Sequence, residues 1–214
     1  MKRKLAIFMS FVMLFSTAVI LPADKEHPAK AEETVTASGY WTDVAEPFQT
    51  KDASGNVLGD SRDNPILIES AEQLAYLAKE INEGTKENNI SRGKYYRLEK
   101  NIDLSGKYWT AIGLYGQEFQ GSFNGNGKVI QGLTVDETKT KKTAGFFGDV
   151  YAIEKGCGLL EGITILGADI KGTYCYKPEG GSGNDKIDST GYGAILAASV
   201  FGNDKENAMA EVVS

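Results

Sequence analysis

Apolar residues recur at helical spacing in one early stretch of the chain. The repeating positions i, i+3, i+4 and i+7 are occupied by Leu74, Leu77, Ala78 and Ile81. This spacing places all four side chains on one face of a helix. Ser70 and Gln73 match a capping box, and Gly84 follows as a stop signal. The pattern predicts an amphipathic helix over Ser70–Glu83, preceded by a short apolar strand at Ile66–Ile68.

Beyond this helix the pattern changes to short β segments separated by glycines. Three segments resemble one another, namely Asn101–Leu104, Gly132–Val135 and Gly162–Ile165, at steps of 31 and 30 positions. A period near 30 built from strands and turns is typical of a solenoid.

Aligning the three segments gives columns of like residues. The two apolar columns are Ile102, Leu133, Ile163 and Leu104, Val135, Ile165, and the polar column is Asp103, Thr134, Thr164. Because side chains alternate faces along a strand, the apolar columns are expected to point inward and the polar column outward. Like residues then meet on stacked strands. The pattern predicts a mainly β protein, a short parallel β-helix with an N-terminal capping helix.

The glycine-rich stretch Gly121–Leu133 raises the question of phosphate binding. G-x-G-x-x-G starting at Gly125 would need glycine where Ile130 stands. The P-loop pattern fails as well, because Ser122 and Val129 replace its first glycine and its hydroxyl residue. Glycine and asparagine tolerate the backbone of tight corners. The pattern therefore predicts that residues 124–127 form a corner leading into the next strand.

The first residues have the layout of a secretory signal peptide. A basic start, an uncharged apolar run over 5–21 and a small-x-small site at Ala29–Ala31 predict cleavage after residue 31. An uncleaved membrane anchor is the alternative. We expect a signal peptide at 1–31, an irregular polar leader at 32–64 and one domain at 65–214.

Removing the signal peptide changes charge and chemistry. Of the 23 Lys/Arg and 29 Asp/Glu, five and two are lost, which leaves 18 and 27 and a net charge of −9. Such acidity argues against nucleic acid as a partner. The single histidine, His27, lies in the removed segment, so we expect no histidine-dependent triad or HExxH zinc site.

The order of several sequence blocks resembles a known group. The blocks are NPILIESAEQLAYLAKEINEG, YYRLEKNIDLSGKYWTAIG, FQGSFNGNGKVIQGLTV and AGFFG, spanning roughly residues 64–170. This order is similar to bacterial secreted and surface proteins with GLUG repeats. The motif itself is Gly145–Gly148 here, and a degraded second copy lies near Gly193–Leu196. The resemblance implies a right-handed parallel β-helix and an adhesive or interaction module. Some members of the group sit on IgA-cleaving zinc peptidases. No catalytic residue is shared with the repeat.

Two further features suggest ligands or cross-links. Cys157 and Cys175 can form a disulfide in a secreted protein, and a free pair is the alternative. Residues Gly180–Asp188 fit one copy of a calcium nonapeptide that includes Asp185. Calcium sites of this type form between consecutive copies, so we favour a loop between strands. We expect no metal, cofactor or catalytic site.

A carbohydrate-active β-helix enzyme is the main alternative to a binding module. Glycoside hydrolysis usually needs two carboxylates on one face, about 5–10 Å apart. Asp103 is the acid in the outward column, and Asp136 and Asp169 fall out of register with it. Tyr108, Trp109 and Tyr115 could stack on a sugar ring or pack in a corner or core.

The function expected from the sequence is a non-catalytic adhesion or interaction module, secreted or at the cell surface. Its partner would be a host, matrix or glycan ligand. A structural stalk would show the same features. The stretch 208–214 looks like the start of another strand, so we interpret the chain as truncated or as part of a longer surface protein.

Overall fold

A computed structural model of the chain describes residues 36–114, 116–138, 143–153, 157–172, 195–202 and 211–213. Several sequence predictions fall outside these ranges: the signal peptide, His27, Tyr115, a bond to Cys175, and the loop at Gly180–Asp188.

The described part of the chain is mainly β, with one α-helix. A 3-10 helix at Trp41–Val44 precedes the strand β1 (Ile66–Ile68) and the helix α1 (Ala71–Glu83). The remaining strands are β2 (Tyr95–Leu98), β3 (Ile102–Asp103), β4 (Ser122–Asn124), β5 (Val129–Gln131), β6 (Thr134–Glu137), β7 (Phe147–Ala152), β8 (Leu159–Glu161), β9 (Thr164–Leu166), β10 (Asp169–Gly172), β11 (Ala197–Gly202) and β12 (Glu211–Val213).

All pairs between these strands are parallel, and they form four sheets. The sheet orders are β1-β2-β4-β8-β12, β3-β5-β9, β10-β6 and β11-β7. From β4 onward, consecutive strands belong to the first, second, third and fourth sheet in turn. The chain passes through this sequence of sheets twice before β12 returns to the first.

The helix α1 begins and ends where the sequence predicts. The Ser70 hydroxyl accepts the Gln73 backbone N–H at 3.2 Å. The Gln73 side chain accepts the N–H of Glu69, one residue earlier than a standard capping box. At the other end Gly84 has φ −75°, so it ends the helix in an extended conformation rather than a left-handed one. The four residues of the predicted stripe are completely buried.

The predicted alternation of faces is confirmed, but the predicted register is wrong. Ile102, Leu104, Leu133 and Val135 are buried, whereas Asp103 is exposed. The column through Ile102 continues to Ile130 and Ile165, not to Leu133 and Ile163. Likewise Val135 pairs with Ile170, and Asp103 pairs with Gln131, which pairs with Leu166.

Two similar glycine corners explain the register error. Gly132 and Gly162 both separate two short strands and both have positive φ, so their neighbourhoods look alike in sequence. They occupy different corners. A Cβ on Gly125 would overlap the Gly162 carbonyl, which puts Gly162 beside the glycine-rich turn. Gly132 instead donates its N–H to Leu166 at 3.2 Å, at the next corner.

The glycine-rich stretch forms a turn, as predicted. The N–H of Lys128 donates to the carbonyl of Gly125 at 2.8 Å. Both central residues, Asn126 and Gly127, have positive φ, at 51° and 64°, which is the backbone of a type I′ turn. The Asn124 side chain accepts the Asn126 N–H at 2.6 Å, an Asx turn that supports the corner.

Aromatic rings fill the centre of the core. Phe146 and Phe147, from the AGFFG block, are fully buried and nearly perpendicular at a centroid distance of 5.0 Å. Phe147 contacts Phe119, and Phe146 stacks on Trp109 at 5.5 Å. The Trp109 indole N–H donates to the Phe146 carbonyl at 3.0 Å, so the polar edge of this buried ring is satisfied. Of the two alternatives for Trp109, stacking on a sugar is therefore wrong, and packing in the core is confirmed.

Residues 36–64, the described part of the predicted leader, contribute to the same core. Trp41 and Phe48 are buried in the hydrophobic cluster. The Trp41 indole donates to the Leu104 carbonyl at 2.9 Å. Tyr40 forms a parallel bridge with Tyr108, so this segment pairs with a part of the chain that is distant in sequence.

Candidate binding surface

One outer surface gathers aromatic and charged side chains from four separate parts of the sequence. Tyr40 pairs with Tyr108, Tyr108 with Thr134, and Thr134 with Asp169, all in parallel register. Lys171 pairs with Asp136 on the same two strands, β10 and β6. We call this surface the tyrosine face, and its members are Tyr40, Tyr108, Thr134, Asp136, Asp169 and Lys171.

The orientation of the two tyrosines follows from their buried neighbours. Trp41 and Trp109 are 9% and 1% exposed and point into the core. Because successive side chains in extended backbone point to opposite faces, Tyr108 points outward, and the Tyr40 ring lies against the Tyr108 ring on the same side. Both remain partly exposed, and their ring centroids lie 5.7 Å apart with the planes tilted by 44°. The pair presents an apolar ring surface bordered by hydroxyl groups.

Charged side chains border the tyrosine pair. The Lys171 ammonium donates to Asp169 at 2.9 Å, and both side chains are 58% exposed. The hydrogen bond to Asp169 is the main reason that the Lys171 pKa is raised, with the charges of Asp169 and Asp136 adding to it. The Asp136 carboxylate accepts the Thr138 hydroxyl at 2.6 Å. This border offers both hydrogen-bond donors and acceptors to a polar partner.

Burial and nearby carboxylates also affect Tyr40. Its hydroxyl pKa is raised, first by burial and then by the negative charges of Glu137 and Asp136. The phenol therefore stays protonated and can donate a hydrogen bond throughout the neutral pH range.

Asp103 lies outside the tyrosine face. It belongs to the sheet β3-β5-β9, whereas Asp136 and Asp169 belong to β6 and β10. Hydrogen bonds from Ser105 and Gln131 lower the Asp103 pKa. A carboxylate held in its ionised form is a poor proton donor for glycoside cleavage. The prediction that Asp136 and Asp169 are out of register with Asp103 is confirmed.

Two members of the tyrosine face have no signal in the sequence. Tyr40 lies in a polar stretch without strand periodicity, and its role depends on a bridge to Tyr108, far along the chain. Lys171 is an ordinary surface lysine in sequence. Asp136 and Asp169 lie beside Lys171 only in the observed register of β6 and β10, and sequence periodicity predicted a different register.

A second polar cluster serves to tie parts of the chain together. One Arg62 nitrogen donates to both oxygens of Glu161 at 2.6 and 2.7 Å, and Asn124 donates to Glu161 at 2.8 Å. The cluster joins the segment before β1 to strands β4 and β8. Glu161 thus has its oxygens engaged within the protein.

Metal ligands and membrane spans are not found in the part of the chain that the structure describes. Its residues include no group of three or more His, Cys, Asp or Glu side chains arranged to hold a metal ion. Within the same ranges no helix is long and apolar enough to cross a membrane. Cys157 is buried.

Comparison with known proteins gives no relatives. No family model, no curated protein and no solved structure matches this chain.

Proposed function

We propose that the chain is a right-handed parallel β-helix that acts as a secreted or cell-surface interaction module without catalytic activity. The repeated passage of the chain through four parallel sheets in the same order supports the β-helix. Connections between parallel strands of one sheet are overwhelmingly right-handed, which supports the handedness. The resemblance to GLUG-repeat proteins points to the same architecture.

The extracellular location rests on the sequence at residues 1–31. A basic start, a short apolar run and a small-x-small site together have the layout of a signal peptide. The net charge of −9 after cleavage suits a soluble protein outside the cell.

The proposed binding role rests on the tyrosine face. Solenoids present long regular surfaces that suit extended partners. Two adjacent, partly exposed rings can stack on the apolar faces of sugar rings. The surrounding hydroxyl, carboxylate and ammonium groups can pair with sugar hydroxyls. A glycan chain lying across β6 and β10 is therefore the partner that this surface fits best.

Binding of residues 32–214 to a glycan array and to matrix proteins tests the proposal. We expect a saturable glycan ligand whose affinity falls about tenfold or more, roughly 1.4 kcal/mol, when Tyr40→Ala and Tyr108→Ala are combined. Tyr151→Ala is the matched control, because Tyr151 is partly exposed on β7, in another sheet. Absence of any ligand would leave the stalk alternative, and equal losses in the control would remove the tyrosine face from the proposal.

In the enzyme alternative, Asp136 and Asp169 are the candidate pair of carboxylates, because both lie beside Lys171 on one surface. We expect no turnover of pectin or glucans by the purified mature chain. Turnover that disappears in Asp136→Asn or Asp169→Asn would replace the binding module with a carbohydrate-active enzyme.

A further inference from the structure

An apolar recess lies on a different part of the molecule from the tyrosine face. It is bounded by the hairpin formed by residues 50–58, by α1 and by the strands β1 and β2. Its cavity volume is about 230 Å³. A cavity of roughly 150 Å³ lined by aliphatic and aromatic side chains is large enough to bind benzene. The recess therefore has room for a small organic ligand.

Three aromatic rings form part of the recess wall. Phe48 contacts Tyr76 and Tyr96 edge to face, at centroid distances of 5.2 and 5.8 Å. The Tyr96 hydroxyl donates to the Ile90 carbonyl at 3.0 Å, so its polar end is satisfied without a ligand. Tyr76 is partly exposed, whereas Phe48 and Tyr96 are buried, so the wall offers mainly the Tyr76 ring to an apolar body.

Aliphatic side chains complete the apolar part. Ile66 is buried beneath the recess, and Leu58 and Ile90 are partly buried beside it. Val57, on the hairpin, is 52% exposed although it is a large apolar side chain. A ligand that covered Val57 would remove this apolar surface from water, which is favourable by about 25 cal/mol per Å².

The hairpin wall is held in place before any ligand binds. Lys51 and Val57 form an antiparallel bridge. Asp52 closes the tip, because its carboxylate accepts the N–H groups of Ser54 and Asn56 at 2.8 Å each. Hydrogen bonds from Asn56 are the main reason that the Asp52 pKa is lowered. A wall of this kind makes the recess largely pre-formed, as small-molecule sites usually are.

The charges at the recess are of one sign. Lys51 and Lys94 line it, and no described Asp or Glu does. Neither lysine is within ion-pair distance of a carboxylate among the described residues. Burial, and after it the negative charge of Glu80 on α1, raise the pKa of Tyr76, but Glu80 does not line the recess. Lys94 is partly buried, and its Cδ lies beside Gly59. Lysine side chains commonly bury their alkyl stem in this way and keep the ammonium group in water.

We propose that this recess binds a small amphiphilic anion, with an aliphatic or aromatic body among the apolar side chains and one carboxylate near Lys51 and Lys94. The apolar wall accounts for the body, and the two lysines outside ion-pair distance of a carboxylate account for the head group. The site is independent of the glycan surface, since no residue is shared between them.

Calorimetric titration of residues 32–214 with sodium octanoate, at low ionic strength, tests this inference. We expect saturable one-site binding to octanoate, weaker binding to 1-octanol and the weakest binding to octyltrimethylammonium. Replacing both lysines, as Lys51→Met and Lys94→Met, keeps their apolar stems and removes their charge. Octanoate affinity should then fall by about fivefold, in line with modest surface ion pairs, while 1-octanol affinity is maintained or rises.

Two controls separate the site from general effects. Lys100→Met removes an exposed lysine outside the recess and should leave octanoate affinity unchanged. Val57→Trp should occupy the opening and reduce octanoate affinity without lowering the melting temperature, because Val57 is already half exposed. No saturable octanoate binding by the folded wild-type chain would overturn the proposal. So would equal binding of octyltrimethylammonium, or an unchanged octanoate affinity in the Val57→Trp variant.

Discussion

At the scale of single residues, two neighbouring glycines in one turn are required for different reasons. Gly125 has an ordinary φ, but a side chain there would overlap the backbone of Gly162. Gly127 has open space around its Cα, but its φ of 64° lies in the left-handed region. The phosphate-like pattern of this stretch therefore reflects close backbone approach at one position and backbone conformation at the other.

These two causes predict different responses to substitution. Gly125→Ala should lower the free energy of unfolding by about 2 kcal/mol or more, because backbone must move to admit the methyl group. Gly127→Ala should cost about 1 kcal/mol, and Gly127→Asn less, since asparagine tolerates positive φ. Urea denaturation of the three variants measures this order. Equal costs for Gly125→Ala and Gly127→Asn would contradict it.

The lowered pKa of Asp103 predicts a pH-dependent contribution to stability. Its ordinary value is 3.8, and hydrogen bonds from Ser105 and Gln131 lower it in the folded state. The contribution is therefore fully present above pH 3.8 and is lost as pH falls through the folded pKa. Asp103 is exposed, so the effect is expected to stay below about 1 kcal/mol.

Asp103→Asn should accordingly destabilise the protein slightly at pH 6, and the difference from wild type should shrink below pH 3.8. Gln131→Ala, made both in the wild-type chain and in Asp103→Asn, completes a double-mutant cycle. This cycle measures how much the 3.1 Å hydrogen bond from the Gln131 amide to the Asp103 carboxylate contributes to the free energy of unfolding. A stability difference between Asp103→Asn and the wild type that grows as the pH falls would show that these hydrogen bonds do not stabilise the Asp103 carboxylate.

At the scale of elements, local sequence determined what could be predicted. The helix α1 was identified because its cap, apolar stripe and stop lie within one short stretch of chain. The corner at residues 124–127 was identified because glycine and asparagine have distinct backbone preferences. Inward and outward faces followed from alternation alone. Each of these signals is independent of distant parts of the chain.

Strand register and the tyrosine face could not be predicted in this way. The sequence offset between Ile102 and its partner Ile130 is shorter than the offset between Ile130 and its partner Ile165, so no single period aligns the strands. Glycine corners with similar flanks made the wrong offset look correct. The contribution of Trp41 to the core was hidden for a related reason, because its hydrogen-bond partner Leu104 is far away in sequence.

The stripe on α1 gives a prediction at this scale. Leu77 is completely buried, so Leu77→Ala should cost about 2–5 kcal/mol, and Leu77→Asp should cost more because it buries a charge. Glu83→Ala is the matched control on the exposed side and should change stability by less than about 0.5 kcal/mol. Thermal and urea unfolding measure both. Similar melting temperatures for Leu77→Ala and Glu83→Ala would mean that α1 is not part of the core.

At the scale of the whole molecule, one topological feature underlies the tyrosine face. Because the parallel pairings bring strands that are far apart in sequence side by side, residues as distant as Tyr40 and Asp169 come to lie on one surface. The tyrosine face therefore depends on the stacking register of the strands. The recess is lined instead by the hairpin of residues 50–58, α1, β1 and β2, which precede in sequence the repeated passage through the sheets.

Disulfide trapping in a background of Cys157→Ala and Cys175→Ser measures this register directly. Asp103, Gln131 and Leu166 are exposed and consecutive in one column. Neighbouring strands lie about 4.8 Å apart, within the Cα separation of about 4.4–6.8 Å that a disulfide spans. Cysteine pairs at 103/131 and at 131/166 should therefore oxidise to intramolecular disulfides, detected by mass spectrometry, whereas the pair 103/134 should remain reduced. A disulfide at 103/134 together with none at 103/131 would contradict the register and the tyrosine face built on it.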